Sequence, residues 1–78
     1  MRCDYETNRE LLTSIGEKIR KYRVARGISQ SQLAFEIDTT LRQIQRIEKG
    51  NIQAGVLYYI NISKVLEIQL SDIIFLEQ

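Results

Sequence analysis

Arg42 and Arg46 lie four residues apart, Gln45 stands between them and Lys49 follows three positions on, all within DTTLRQIQRIEKG, residues 38–50. Residues three and four apart share one face of an α-helix, so this spacing gathers two guanidinium groups and an ammonium on one ridge. Guanidinium presented in this way suits bidentate hydrogen bonds to guanine in a DNA major groove, or to phosphate. Ile44 and Ile47 occupy another face of the same helix and supply an apolar anchor that would hold the ridge outward.

Other chemistries find little support in the sequence. Histidine is absent and Cys3 is the only cysteine, which leaves no residue set for a zinc site, an internal disulfide or a His-based triad. Cys3 reads as a solvated thiol near the terminus. No paired acids, phosphate loop or nucleophile with its base stands out, so a non-enzyme with no cofactor and no metal is expected. No stretch reaches the ~20 apolar residues of a membrane span. The opening MRCDYETNRE has no apolar core of the kind a signal peptide carries, so a soluble cytoplasmic protein with no membrane partner is expected.

The net charge of +1 hides a segregation. Residues 18–51 carry eight Lys and Arg against three Asp and Glu, a balance of +5, whereas the segments on either side are each at −2. A local excess of this kind is the footprint of a polyanion-binding face, although a basic stretch is also compatible with an ordinary solvated surface.

The elements that would position the ridge are helices. There is no proline, and the apolar spacing is helical nearly throughout, which predicts an all-α fold. Leu12, Ile15, Ile19 and Tyr22 form one stripe of a first helix that stops at Gly27. Thr7 to Glu10 and Ser14 to Glu17 both match a capping box, so this helix begins somewhere from residue 8 to residue 15. A second helix opens at the Ser29 to Gln32 capping box with Leu33, Ala34 and Ile37 inward. Asp38 suits a tight, left-handed turn. The third helix opens at the Thr40 to Gln43 box and ends at Gly50. A fourth is expected from about Gly55 to Leu66, with Ile60, Ile62, Val65 and Leu66 among its apolar positions. A short fifth is expected over residues 70–76, where IIFL could instead be a strand or a dimer seam.

Two short amphipathic helices joined by about three residues must cross steeply, with the second held outward, which is the shape of a helix-turn-helix over about residues 30–49. At this point the match is textual as well. The stretch IGEKIRKYRVARGISQSQLAFEIDTTLRQIQRIEKG combines a basic first helix, Gly-x-Ser-Gln-x-x-Leu-Ala, a tight turn, and a helix ending Ile-Glu-x-Gly. In this it resembles the lambda-repressor-like helix-turn-helix domain of the Cro/cI (XRE) family, and the likeness extends over residues 15–76. The implied architecture is a compact five-helix domain at 15–76, preceded by an extension at 1–14 that includes the possible start of helix 1.

The resemblance implies roles by position. Thr40, Leu41, Arg42 and Arg46 match base-contacting positions, although Thr40 also has a capping role and Leu41 flanks the buried stripe. Gln30 looks like the residue that binds a phosphate and braces the recognition helix. Lys49 and Asn51 resemble the family's phosphate contacts; Gln43 is a further phosphate candidate that is also engaged in its capping box, and Gln45 is another, reaching either a phosphate or nothing. Arg23 and Glu48 match a structural ion pair tying the first helix to the third. Asp38, Glu67 and Gly55 depart from the family pattern, which commonly has glycine, glycine and proline there. Asp38 sets a carboxylate near the expected DNA backbone.

The resemblance further implies double-stranded DNA as partner and a homodimer as the binding unit, reading a palindromic operator. Ile73, Ile74, Phe75 and Leu76 are the candidate dimer seam, with packing under the fourth helix as the alternative. The expected function is that of a transcriptional regulator similar to restriction-modification controllers or compact phage-type repressors. An antitoxin-like or adaptor module gripping a protein partner is the competing class.

Overall fold

The structure is a computed structural model and describes residues 8–74. Among the described residues there are five helices and no strands: α1 Arg9–Ala25, α2 Gln30–Glu36, α3 Leu41–Lys49, α4 Val56–Leu66 and α5 Ser71–Ile74.

The α1 helix begins at the early end of the expected range. Asn8 takes the N-cap position, so Ser14 and Glu17 lie inside the helix and do not act as its start. Thr7, the first residue of the other candidate box, lies outside the described residues. Leu12, Ile15, Ile19 and Arg23 are buried on one stripe. Beyond Ala25 the chain turns through Arg26 and Gly27, with the Ile28 amide donating back to the Arg23 carbonyl at 3.1 Å.

Ser29 Oγ caps α2 by accepting from the Gln32 amide at 3.0 Å. The reciprocal half of the expected box is replaced by another bond, since the Gln32 carboxamide donates to Glu36 Oε1 at 2.7 Å. The turn that follows uses Asp38 in the left-handed region, φ 58°, and the Thr39 amide donates to the Ala34 carbonyl at 2.9 Å. Thr40 Oγ1 then caps α3 through the Gln43 amide at 3.1 Å. Gly50, at φ 71°, closes it, and the Asn51 amide donates to the Arg46 carbonyl at 2.9 Å.

A nine-residue helix is marginal on its own in water, so α3 depends on what its inner face buries. Ile44 and Ile47 are enclosed, each worth roughly 1.5–3 kcal/mol. They join Ile15, Ile19, Leu33, Ala34, Tyr59, Ile62, Leu66 and Ile73 in one core. The α4 helix contributes Tyr59, Ile62, Ser63 and Leu66 to it, while Ile60 and Val65 are half-buried, as is Ile37 after α2. Glu67 ends α4 with φ 56°, in the left-handed conformation that glycine would adopt without strain.

The packing of α1 on α3 has a specific requirement. A Cβ added at Gly16 would lie 2.5 Å from the Ile47 carbonyl oxygen and 2.7 Å from the Glu48 carbonyl carbon, closer than atoms approach without moving. The two backbones therefore touch at a residue that must be glycine. At Gly50 a Cβ would meet the Thr13 backbone at 2.8 Å, so the end of α3 is pressed against α1 as well.

The C-terminal segment corrects one expectation. Residues 71–74 are helical, and Ile73 is completely enclosed in the core of its own chain, which removes it from any dimer seam. The α5 helix packs on α1, so an apolar residue at this register is covered before a partner is needed. Ile74 is half-buried, and Phe75 and Leu76 lie outside the described residues.

Candidate nucleic-acid interface

The third helix is divided between two environments. Ile44, Ile47 and Glu48 face inward, and Leu41, Arg42, Gln45, Arg46 and Lys49 are exposed. Arg42 and Arg46 are one turn apart, with Cβ atoms about 5–6 Å from each other by helix geometry. Neither is drawn into the body of the domain. Thr40 is exposed at the amino end, where its hydroxyl is committed to the cap, and Leu41 retains 41% exposure. Leu41 therefore flanks the core without entering it. Gln43 is half-buried, and Asn51 is exposed just past the end of the helix.

The orientation of α3 is tied down at Glu48. Arg23 Nε donates to Glu48 Oε2 at 2.6 Å and Arg23 Nη2 to Oε1 at 3.1 Å, a two-pronged bond made by side chains only 10% and 3% exposed. Arg23 Nη1 donates to the Ile28 carbonyl at 2.8 Å, which fixes the loop leading into α2. Gln30 Nε2 donates to Glu48 Oε1 at 3.1 Å. One carboxylate thus joins α1, α2 and α3. Burying two charges is costly, and the pair holds because its remaining donors and acceptors are satisfied. Among the described residues no buried side-chain nitrogen or oxygen lacks a hydrogen-bond partner.

Two features escaped the sequence reading. Gly16 showed no turn or cap signal, and its requirement appears only when α3 is laid across it. Phe35 is 79% exposed on the outer side of α2, where an aromatic residue would ordinarily find cover. Of the adjacent tyrosines 58 and 59, Tyr59 is buried and Tyr58 half-buried, and burial pushes the Tyr59 phenol above the usual value, partly offset by a hydrogen bond with the Ala54 backbone.

A capped helix, a four-residue turn with Asp38 left-handed and a second capped helix with a cationic outer face define a helix-turn-helix domain. Residues 19–73 match the Helix-turn-helix family HTH_3, and the chain belongs to that family, of the Cro/cI (XRE) type. Among its relatives, an uncharacterized HTH-type transcriptional regulator of Sinorhizobium medicae (strain WSM419) is 37% identical over 57 residues, covering 73% of this chain and 41% of the relative. A similarly described regulator of Rickettsia prowazekii (strain Madrid E) is 40% identical over 53 residues, 68% of this chain and 41% of its own. The chain thus spans about two-fifths of the length of the curated relatives it matches.

The fold is shared with the restriction-modification controller protein C.AhdI from Aeromonas hydrophila, at a TM-score of 0.76 and 24% identity, covering 80% of this chain and 94% of that one. It is also shared with the clp gene regulator ClgR from Corynebacterium glutamicum, at a TM-score of 0.78 and 17% identity, covering 81% and 67%. No described helix is long and apolar enough to cross a membrane.

Proposed function

We propose that this chain is the sequence-specific DNA-binding domain of a transcriptional regulator, acting in the cytoplasm without catalytic chemistry of its own. The observation that carries this reading is the division of α3, in which isoleucines and an ion-paired Glu48 hold the helix from behind while Arg42 and Arg46 stand free in front. In the proposed complex α3 enters the major groove. Arg42 and Arg46 read guanine, Thr40 and Leu41 contact neighbouring base edges, and Gln30, Gln43, Gln45, Lys49 and Asn51 engage phosphates.

A single short helix offers few base contacts, so the domain acts as a two-fold dimer on half-sites about 34 Å apart. Its seam excludes Ile73. The remaining apolar surface includes Ile74, Leu11 and Val56, which line one groove between α1, α4 and α5.

A second reading, a module gripping a protein partner on the same fold, draws on the exposed Phe35 and Leu57. One experiment separates the two. Sites are selected from random duplex DNA by the protein, and the recovered sequence is titrated at several salt concentrations with the natural chain, Arg46→Ala and Lys49→Ala. Arg46→Ala should cost about 1–3 kcal/mol and relax discrimination at one base pair, whereas Lys49→Ala should weaken all sequences alike and flatten the salt slope by about one. Recovery of no enriched sequence, with no retarded DNA, would overturn the DNA reading. Half-sites with no two-fold relation would overturn the dimer.

A further inference from the structure

The Glu48 carboxylate settles how Gln30 is oriented. A carboxylate only accepts hydrogen bonds, so the amide nitrogen of Gln30, and not its oxygen, must face Glu48 Oε1 across 3.1 Å. An amide nitrogen carries two hydrogens that point in different directions. One is committed to Glu48, and the other is left for an acceptor elsewhere. Gln30 is the first residue of α2 and is only half-buried, so an acceptor arriving from solvent can reach it. Arg23 neutralises the carboxylate with one bond to each oxygen, sharing Oε1 with Gln30, so Glu48 can orient an amide without presenting net negative charge to an approaching anion.

We propose that Glu48 is a positioning residue for phosphate binding: its hydrogen bond holds the Gln30 carboxamide so that the second N–H is aimed at the DNA backbone, with Arg23 cancelling the charge. The proposal rests on the reading of Gln30 as a phosphate contact and adds what aims that contact. A glutamine free in solution gives up rotamer freedom when it binds, whereas one already held by Glu48 has little left to lose. The ion pair that fastens α1 to α3 therefore also prepares a donor on α2.

The test is Gln30→Met, which keeps the length and loses both N–H groups, titrated against the selected DNA site in two backgrounds. The first is the natural chain. The second carries Arg23→Met with Glu48→Leu, which replaces the buried pair by apolar side chains and so retains the fold, as thermal unfolding verifies. In the natural chain Gln30→Met should weaken binding about tenfold, and equally on a site with one altered base pair, because a phosphate contact does not specify sequence. In the second background the same substitution should cost no more than about twofold, since the amide is no longer aimed.

A tenfold loss in both backgrounds would overturn the positioning role and keep Gln30 as a phosphate contact. No loss in the natural chain would overturn the phosphate contact itself. A loss confined to the selected site, with discrimination reduced, would mark Gln30 as a brace of α3 and overturn the proposal. Gln30→Asn in the natural chain does not depend on the doubly substituted fold. It keeps both amide hydrogens on a stem too short to span Glu48 and a phosphate together, so its loss should match that of Gln30→Met, and full retention of affinity would sink the proposal.

Discussion

Gly16→Ala is the sharpest test of how α3 is held. The added methyl carbon would sit 2.5 Å from the Ile47 carbonyl oxygen and 2.7 Å from the Glu48 carbonyl carbon, against an ordinary contact of about 3.4–4 Å. These neighbours are backbone atoms and cannot swing aside, so α1 and α3 must part by about 1 Å. Overpacking of this kind costs roughly 1–3 kcal/mol, and the rigidity of the neighbours puts it at the upper end. Replacing glycine by alanine within a helix returns about 1 kcal/mol. The expected net is a destabilisation of about 2 kcal/mol, a large part of the roughly 4–12 kcal/mol that a chain of this length commands. At about 4–8 °C per kcal/mol for a domain this size, Tm should fall by roughly 8–16 °C, read by circular dichroism on heating. Gly55→Ala, where a Cβ would meet nothing within 4 Å, serves as the control and should cost under about 1 kcal/mol at its N-cap position. An unchanged or raised Tm for Gly16→Ala would refute the close crossing, because only the helix-propensity gain would then have been expressed.

Glu48→Ala should lower stability by about 3–5 kcal/mol in denaturant melts, because it leaves the Arg23 guanidinium buried and unpaired; a change below about 1 kcal/mol would mean the pair is not enclosed. Glu67→Gly relieves a left-handed residue at the cost of an exposed ion pair with Arg26, so it should be neutral or stabilising by up to about 1 kcal/mol, and a clear loss would show that the surface pair matters more than the strain. Tyr59 has a folded-state pKa raised above its unfolded value of 10.0, so its contribution to stability is complete below that pH and is lost as pH climbs through the higher folded value. Tyr59→Phe should accordingly show a shallower decline in stability above pH 10 than the natural chain, and parallel declines would contradict a buried phenol.

Much of the helix-turn-helix could be read directly because its signals are local. The Ser29 and Thr40 caps, the left-handed Asp38 and the Gly50 stop each depend on residues within a few positions, and each is found in place. The Arg23–Glu48 pair is different, since nothing in the spacing links residues 25 apart, and the expectation came from the family likeness alone. The start of α1 was ambiguous because two capping boxes competed, and the burial of Leu12 favours the longer helix.

By itself the sequence determined that α3 has a greasy face and a cationic face, since that division follows from a repeat of 3.6 residues and from side-chain type. Only the tertiary structure decided which surfaces are covered. It encloses Ile73 where α5 packs on α1, brings the Gly16 backbone against the carbonyls of residues 47 and 48, and turns the Gln30 amide toward Glu48. These depend on distances between segments 18 or more residues apart, and a linear pattern carries no record of such distances until the chain has packed.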